Sequence, residues 1–217
     1  MKIFIDSGNI KDIETLVAIG IIDGVTTNPT LLAKEPGDYR DNLKKICQIV
    51  KGPVSGEVTA VDFAGMLKQG RDIAAIDQHM IVKVPLTRAG IQACKTLSDE
   101  GIRVNVTLCF SPAQALLAAK VGATYISPFV GRLDDVGTNG MELIRDIVEI
   151  YNNYDFRTEV LVASCRNPIH VIDAARMGAD IATCPPAVID QLFNHPLTNI
   201  GLEKFLKDWE KSQAVKA

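Results

Sequence analysis

The sequence predicts a closed parallel (β/α)8 barrel, the TIM-barrel class, with one additional helix at its C-terminal end. Three observations lead there. Short β-branched runs alternate eight times with longer amphipathic stretches along the 217 residues, the rhythm of repeated βαβ units. No linker or low-complexity segment breaks that rhythm, so residues 1–217 read as one domain. The first strand runs into DSGNIKD rather than G-x-G-x-x-G, so the mark of an open dinucleotide-binding sheet is missing.

Taken in order, the strand runs are KIFID (2–6), GVTTN (24–28), PVSGEV (53–58), MIVKV (80–84), RVNVTL (103–108), TYISP (124–128), EVLVAS (159–164) and DIATC (180–184). Helical spacing fills the gaps. Residues 9–19 carry Ile10, Ile13, Leu16 and Val17; 38–50 carry Leu43, Ile46 and Val50; 62–76 carry Phe63, Met66, Leu67 and Ile73. The pattern returns in 87–100, 111–121, 138–151, 167–177 and 186–194. Asp38, Asp62 and Thr87 stand where N-caps belong, because their side-chain oxygens can accept an orphan N–H of the first turn. Gly20, Gly101, Gly122 and Gly178 follow apolar helical stretches, where a left-handed residue ends a helix. Residues 198–212 form the extra helix, with Leu202, Phe205, Leu206 and Trp209 on one stripe. The barrel is complete without it. The stripe therefore packs on its own barrel or reaches a neighbouring subunit.

Composition narrows the function. The chain is 47% hydrophobic, 23% charged and 6% aromatic, an ordinary globular balance in which Ile, Val, Leu and Ala build the core. At this size about 70% of the unfolded chain's surface can be buried, so no staples are needed. Net charge is −3 with no block of like charges, which argues against a nucleic-acid partner. The five cysteines include no C-x-x-C pair and read as buried thiols of a reducing compartment. The N-terminus MKIFIDSGN is too short for a signal-peptide core, and no apolar run nears the roughly 20 residues of a membrane span. A cytoplasmic location without membrane association is expected.

In such a barrel the chemistry gathers at the C-terminal ends of the strands. The runs end in Asp6, Thr27 and Asn28, Glu57, Lys83, Asn105 and Thr107, Ser127, Ser164 and Thr183: a polar ring on an apolar barrel. Lys83, inside MIVKVP, is the sharpest element. Helices cover the outer face, so a lysine here is desolvated, and burial favours the neutral amine (documented cases reach about 5–6). A neutral amine can attack a carbonyl and form a Schiff base, the electron sink for breaking a neighbouring carbon–carbon bond. That chemistry requires no metal or other cofactor, and none is expected. Glu57 and Asp6 are the strand-end carboxylates able to move its protons, with Thr107 near enough to hold a water beside Glu57. Asn28 and Asn105 suit substrate hydroxyls. Arg132, Ser164 and Arg166 follow the sixth and seventh strands and suit a phosphate. Cys165 has no strand-end histidine to activate it. His79, His170 and His195 read as structural.

FIDS-N, GVTTNPT, IVKVPLT and ISPFVGR–D, with ASCRNP more loosely, resemble the transaldolase family over essentially the whole chain. The likeness is to its short subgroup, which includes the fructose-6-phosphate aldolases. GVTTNP together with VKVP at this spacing is the specific part. The resemblance implies Lys83 as the Schiff-base residue and Asp6 as the base for the hydroxyl on the carbon being cleaved. It implies Glu57 acting through a water with Thr107, Thr27, Asn28, Asn105, Ser127 and Phe129 along the substrate, and Arg132, Ser164 and Arg166 on the phosphate. The implied reaction moves a dihydroxyacetone unit from sedoheptulose 7-phosphate to glyceraldehyde 3-phosphate, giving erythrose 4-phosphate and fructose 6-phosphate. The implied assembly is a decamer of two pentameric rings, with the C-terminal helix on a neighbour. The aldolase branch looks to carry Gln and Tyr where this chain has Glu57 and Phe129, so the resemblance favours the transferase over an aldolase that frees dihydroxyacetone.

Overall fold

Every strand run pairs in parallel with the next, and the last returns to the first, closing the sheet in the order β1-β2-β3-β4-β5-β6-β7-β8. The computed structural model describes residues 1–214. The strands are β1 (Lys2–Asp6), β2 (Gly24–Thr26), β3 (Val54–Glu57), β4 (Met80–Pro85), β5 (Val104–Cys109), β6 (Tyr125–Pro128), β7 (Glu159–Val162) and β8 (Ile181–Cys184). The helices are α1 (Ile10–Val17), α2 (Pro29–Leu32), α3 (Tyr39–Val50), α4 (Phe63–Ala74), α5 (Arg88–Asp99), α6 (Pro112–Lys120), α7 (Val130–Asp134), α8 (Gly140–Asn153), α9 (Pro168–Met177), α10 (Pro186–Gln191) and α11 (Pro196–Ala214). The barrel with its C-terminal helix is therefore as expected. None of the described helices is long and apolar enough to cross a membrane.

The punctuation works as read. Asp38 accepts from the N–H groups of Arg40 and Asp41, Asp62 from Gly65, and Thr87 from Gly90. Gly20, Gly101, Gly122 and Gly178 all have φ near +80°, a region that costs a residue with a Cβ but not glycine.

Two sets of apolar residues divide at the sheet. Outward side chains such as Ile5, Val82, Val84, Val104 and Val106 join the helices in the main core. A smaller inner cluster of Phe4, Ile81, Tyr125, Leu161, Ala163 and Ile181 plugs the barrel, with the Phe4 and Tyr125 rings edge to face at 6.1 Å. Gly24 makes room for this plug, since a Cβ there would lie 2.6 Å from the Phe4 ring. Side chains alternate along a strand, so on β1, β4, β6 and β8 the residue two places beyond the plug residue also faces inward, one layer higher. That step converts Phe4 to Asp6, Ile81 to Lys83, Tyr125 to Ser127 and Ile181 to Thr183. The polar ring is the next layer above a dry floor.

α2 and α7 have no counterpart in the sequence reading. Each is about one turn, too short to display a helical period, and each begins directly after a candidate site residue, Asn28 or Phe129.

Candidate active site

Strand register brings the central pair together. β3 and β4 align Glu57 with Lys83, and Lys83 Nζ lies 3.0 Å from Glu57 Oε2. The ammonium also donates to the Thr27 carbonyl at 3.0 Å. Its side chain is only 6% exposed. Lys83 is thus buried, as MIVKVP implies, and in direct contact with Glu57, because neighbouring parallel strands bring their end residues level.

Asp6 stands on the other side. Its carboxylate accepts from Thr26 Oγ1 at 2.8 Å, and Thr26 in turn meets Thr183 Oγ1 at 2.6 Å. Burial pushes the Asp6 carboxyl above the usual carboxylate range; the positive charge of Lys83 and the Thr26 hydrogen bond offset this only in part. The N-cap of α1 is Asn9, not Asp6, so Asp6 is left to the cavity.

Thr107 lies further round the ring. β4 pairs with β5 so that Lys83 meets Asn105 and Pro85 meets Thr107. The register of β5 against β6 then shifts between Val106 and Cys109, with Leu108 at φ 60°. The bulge sets Thr107 and Leu108 both on the wall of the cavity that holds Lys83 and Glu57. Thr107 Oγ1 is buried without a hydrogen-bond partner among the described residues, an unusual state for an interior hydroxyl.

Two joined cavities open here, sharing Asn28, Lys83, Phe129 and Arg132. One, of about 200 Å³, adds Asp6, Thr26, Ser127, Ser164, Arg166 and Thr183. The other, of about 450 Å³, adds Glu57, Thr107 and the α2 residues Thr30 and Leu31. Arg132 lies with its guanidinium carbon 5.4 Å from the centre of the Phe129 ring, which in turn packs on Phe110. Arg132 forms no ion pair among the described residues, which leaves an unneutralised cation over the cavity. Arg166 holds Asp135 at 2.8 Å through one terminal nitrogen. Ser164, at φ 60°, lets the chain turn between the strand end and Arg166.

Two expected substrate residues take other positions. Thr27 turns its hydroxyl away to the Ser55 carbonyl and offers the site only its backbone oxygen; Thr26, one residue earlier, lines the cavity. Asn105 is fully buried behind the wall, donating to Ser55 Oγ and accepting from Ser127 Oγ. GVTTN looks alike at either threonine, so local pattern does not single out Thr26. The inward phase could have been set from Asp6, which pairs with Thr26 in register. The thiol of Cys165 is pushed up by its contact with Cys184 and by burial, the wrong direction for a nucleophile.

Residues 3–216 match the family model described as Transaldolase/Fructose-6-phosphate aldolase. Probable transaldolases from Anaeromyxobacter dehalogenans and Thermodesulfovibrio yellowstonii are 60% and 58% identical to this chain, covering 97% of it and 97% and 99% of themselves. A third from Kosmotoga olearia is 56% identical over 97% of both chains. The thiamine phosphate pyrophosphorylase of Pyrococcus furiosus superposes with a TM-score of 0.60 over 86% of both chains at 16% identity, a likeness of barrel fold alone. With the Lys83–Glu57 pair, the Asp6 pocket and the motifs that supply them in place, the chain belongs to the transaldolase/fructose-6-phosphate aldolase family.

Proposed function

We propose that the protein is a transaldolase, carrying dihydroxyacetone from sedoheptulose 7-phosphate to glyceraldehyde 3-phosphate on Lys83. The observation that carries this reading is a buried lysine 3.0 Å from a carboxylate, with a second, protonation-prone carboxyl across the same cavity. Lys83 passes a proton to Glu57, and the neutral amine adds to the ketose carbonyl. Glu57 returns the proton to the carbinolamine hydroxyl, which leaves as water, so the product is a protonated imine and a carboxylate again. A water between Glu57 and the free Thr107 hydroxyl suits this relay. Asp6 then takes the proton of the C4 hydroxyl as the C3–C4 bond breaks and its electron pair enters the iminium, giving an enamine and erythrose 4-phosphate. The acceptor aldehyde reverses the last step, taking its proton from Asp6, and hydrolysis frees fructose 6-phosphate. A carboxyl raised above its ordinary value is a stronger base than a free carboxylate, the direction this proton transfer needs.

Arg132, Ser164 and Arg166 are the proposed phosphate grip, and Asn28, Ser127 and Phe129 the walls along the sugar. The competing reading is an aldolase releasing free dihydroxyacetone from fructose 6-phosphate; Glu57 and Phe129 support the transferase. The exposed stripe Leu202, Phe205, Leu206 and Trp209 suits the proposed ring assembly, in which a neighbour covers it. Borohydride reduction with fructose 6-phosphate, followed by peptide mapping, tests the mechanism: a three-carbon adduct on Lys83 is expected, and an unmodified Lys83 peptide overturns it. Product analysis without acceptor separates the two reactions, since sustained release of dihydroxyacetone favours the aldolase.

A further inference from the structure

The two arginines of the proposed phosphate grip come from different loops, and something must hold those loops in register. Part of the link is backbone: Val130 N–H donates to the Ala163 carbonyl at 3.1 Å and Gly131 N–H to Ser164 at 3.2 Å. The contact is close enough that a Cβ on Gly131 would lie 2.3 Å from the Ser164 oxygen and 2.7 Å from Arg166 Cγ. The other part is a histidine with no role in the chemistry. His170, in the first turn of α9 and 8% exposed, accepts the Arg166 backbone N–H on Nδ1 at 3.2 Å. Its Nε2 lies 3.0 Å from Asp134 Oδ2. These partners define the neutral tautomer: Nδ1 is the acceptor, so Nε2 carries the proton and donates to the carboxylate. Asp134 is two residues from Arg132 on α7, and its other oxygen accepts the Gly140 N–H that opens α8.

We infer that His170 is a positioning residue for the anion grip, clamping the Arg132 helix through Asp134 to the backbone of Arg166. The inference rests on the reading of this rim as a phosphate site, and it adds the element that sets the separation of the two guanidinium groups. Asp135 is a second, weaker tie: both ends of its ion pair with Arg166 are half exposed and screened by solvent, whereas the His170 ring is 10% exposed and Asp134 38%.

The test measures binding of inorganic phosphate by calorimetry alongside borohydride trapping of unphosphorylated dihydroxyacetone on Lys83. For His170→Ala, phosphate affinity and KM for fructose 6-phosphate are expected to worsen on the order of tenfold, the scale of one lost charge-assisted hydrogen bond. Trapping of dihydroxyacetone and kcat stay within about twofold by the same argument, since the amine pocket is untouched. His170→Gln, which can still donate to Asp134, restores part of the loss, and Asp134→Ala combined with His170→Ala is no worse than Asp134→Ala alone, which also loses the Gly140 cap. If wild-type protein binds no phosphate, the grip reading itself fails and the inference falls with it. If wild type binds phosphate and His170→Ala binds it equally well, the grip stands and the positioning role is overturned. A parallel loss of dihydroxyacetone trapping in both His170 variants also overturns it, because the residue would then serve only the fold.

Discussion

Thr107→Val separates what the site does for catalysis from what it costs the fold. The Thr107 hydroxyl is buried and has no partner among the described residues, and Val106 before it is a core residue. Valine keeps the branched shape and the strand preference and deletes only the hydroxyl. An unsatisfied buried polar group costs about 1–3 kcal/mol, and a bound water recovers part of that. The variant should therefore be as stable as wild type or more so, by up to about 2 kcal/mol. At this chain length the gain corresponds to roughly 2–4 °C of melting midpoint per kcal/mol. Activity moves the other way. If the hydroxyl holds the water that carries protons beside Glu57, kcat should fall about a hundredfold, the lower end of what positioned proton transfer contributes.

The assay is paired: urea unfolding followed by circular dichroism, and steady-state transfer to glyceraldehyde 3-phosphate on the same preparation. A variant that loses more than about 1 kcal/mol has lost a structural hydroxyl, whereas the reasoning assigns that group a net cost. Full activity at unchanged stability would be equally damaging, since the orphan oxygen would then have no task.

Asp6→Asn tests the raised carboxyl. A folded-state value above the unfolded one means the native protein releases its proton later, so ionising Asp6 erodes stability as pH rises through the folded value. The Asp6→Asn variant should be the more stable at pH 7, with the difference fading below about pH 4, and it should have lost cleavage activity; equal stability at both pH values refutes the assignment. Phe129→Tyr adds a phenol to the wall that Phe129 shares with Arg132 and Lys83, and should raise the ratio of released to transferred dihydroxyacetone; an unchanged ratio removes this position as the switch. Under the proposed ring assembly, Phe205→Ser with Trp209→Ser should sediment as smaller species than wild type, because these side chains are 71% and 65% exposed on the single chain. Unchanged sedimentation assigns the stripe to no interface.

Much of the barrel was legible because its signals are local. β-branched runs, cap residues such as Asp62 and left-handed glycines such as Gly178 act within a few residues. The same holds for Lys83, whose strand and burial are both written in MIVKVP. The elements that escaped depend on residues far away in the chain. Thr26 differs from Thr27 only through inward phase, which β1 decides at Asp6. Leu108 looks like an ordinary strand residue until the register shift against β6 turns it to the cavity wall. His170 reads as a helix histidine because its partner, Asp134, lies 36 residues earlier on a helix of five residues. Local pattern reveals the scaffold; pairings across strands decide which side chains meet.

The Lys83–Glu57 pair bears on why such a site exists at all. Burying two charges costs several kcal/mol each before their attraction returns any of it, and well-packed apolar residues of similar size are often no less stable. The barrel has such residues at hand: two positions below Lys83 is Ile81, in the same inward phase and part of the dry plug. Continuing the apolar plug by one more layer would have made a better core. Instead the layer holds Lys83, Glu57 and Asp6, and the Asp6 carboxyl is pushed up by the burial that a stability argument would avoid. The floor and the ring therefore make opposite demands on the same strands. The floor excludes water, which strengthens every interaction above it; the ring spends that gain on an amine with a carboxylate in contact and a second carboxyl ready to trade a proton. An interior ordered by stability alone would not place these groups together, and that is the strongest physical reason to read the layer as an active site.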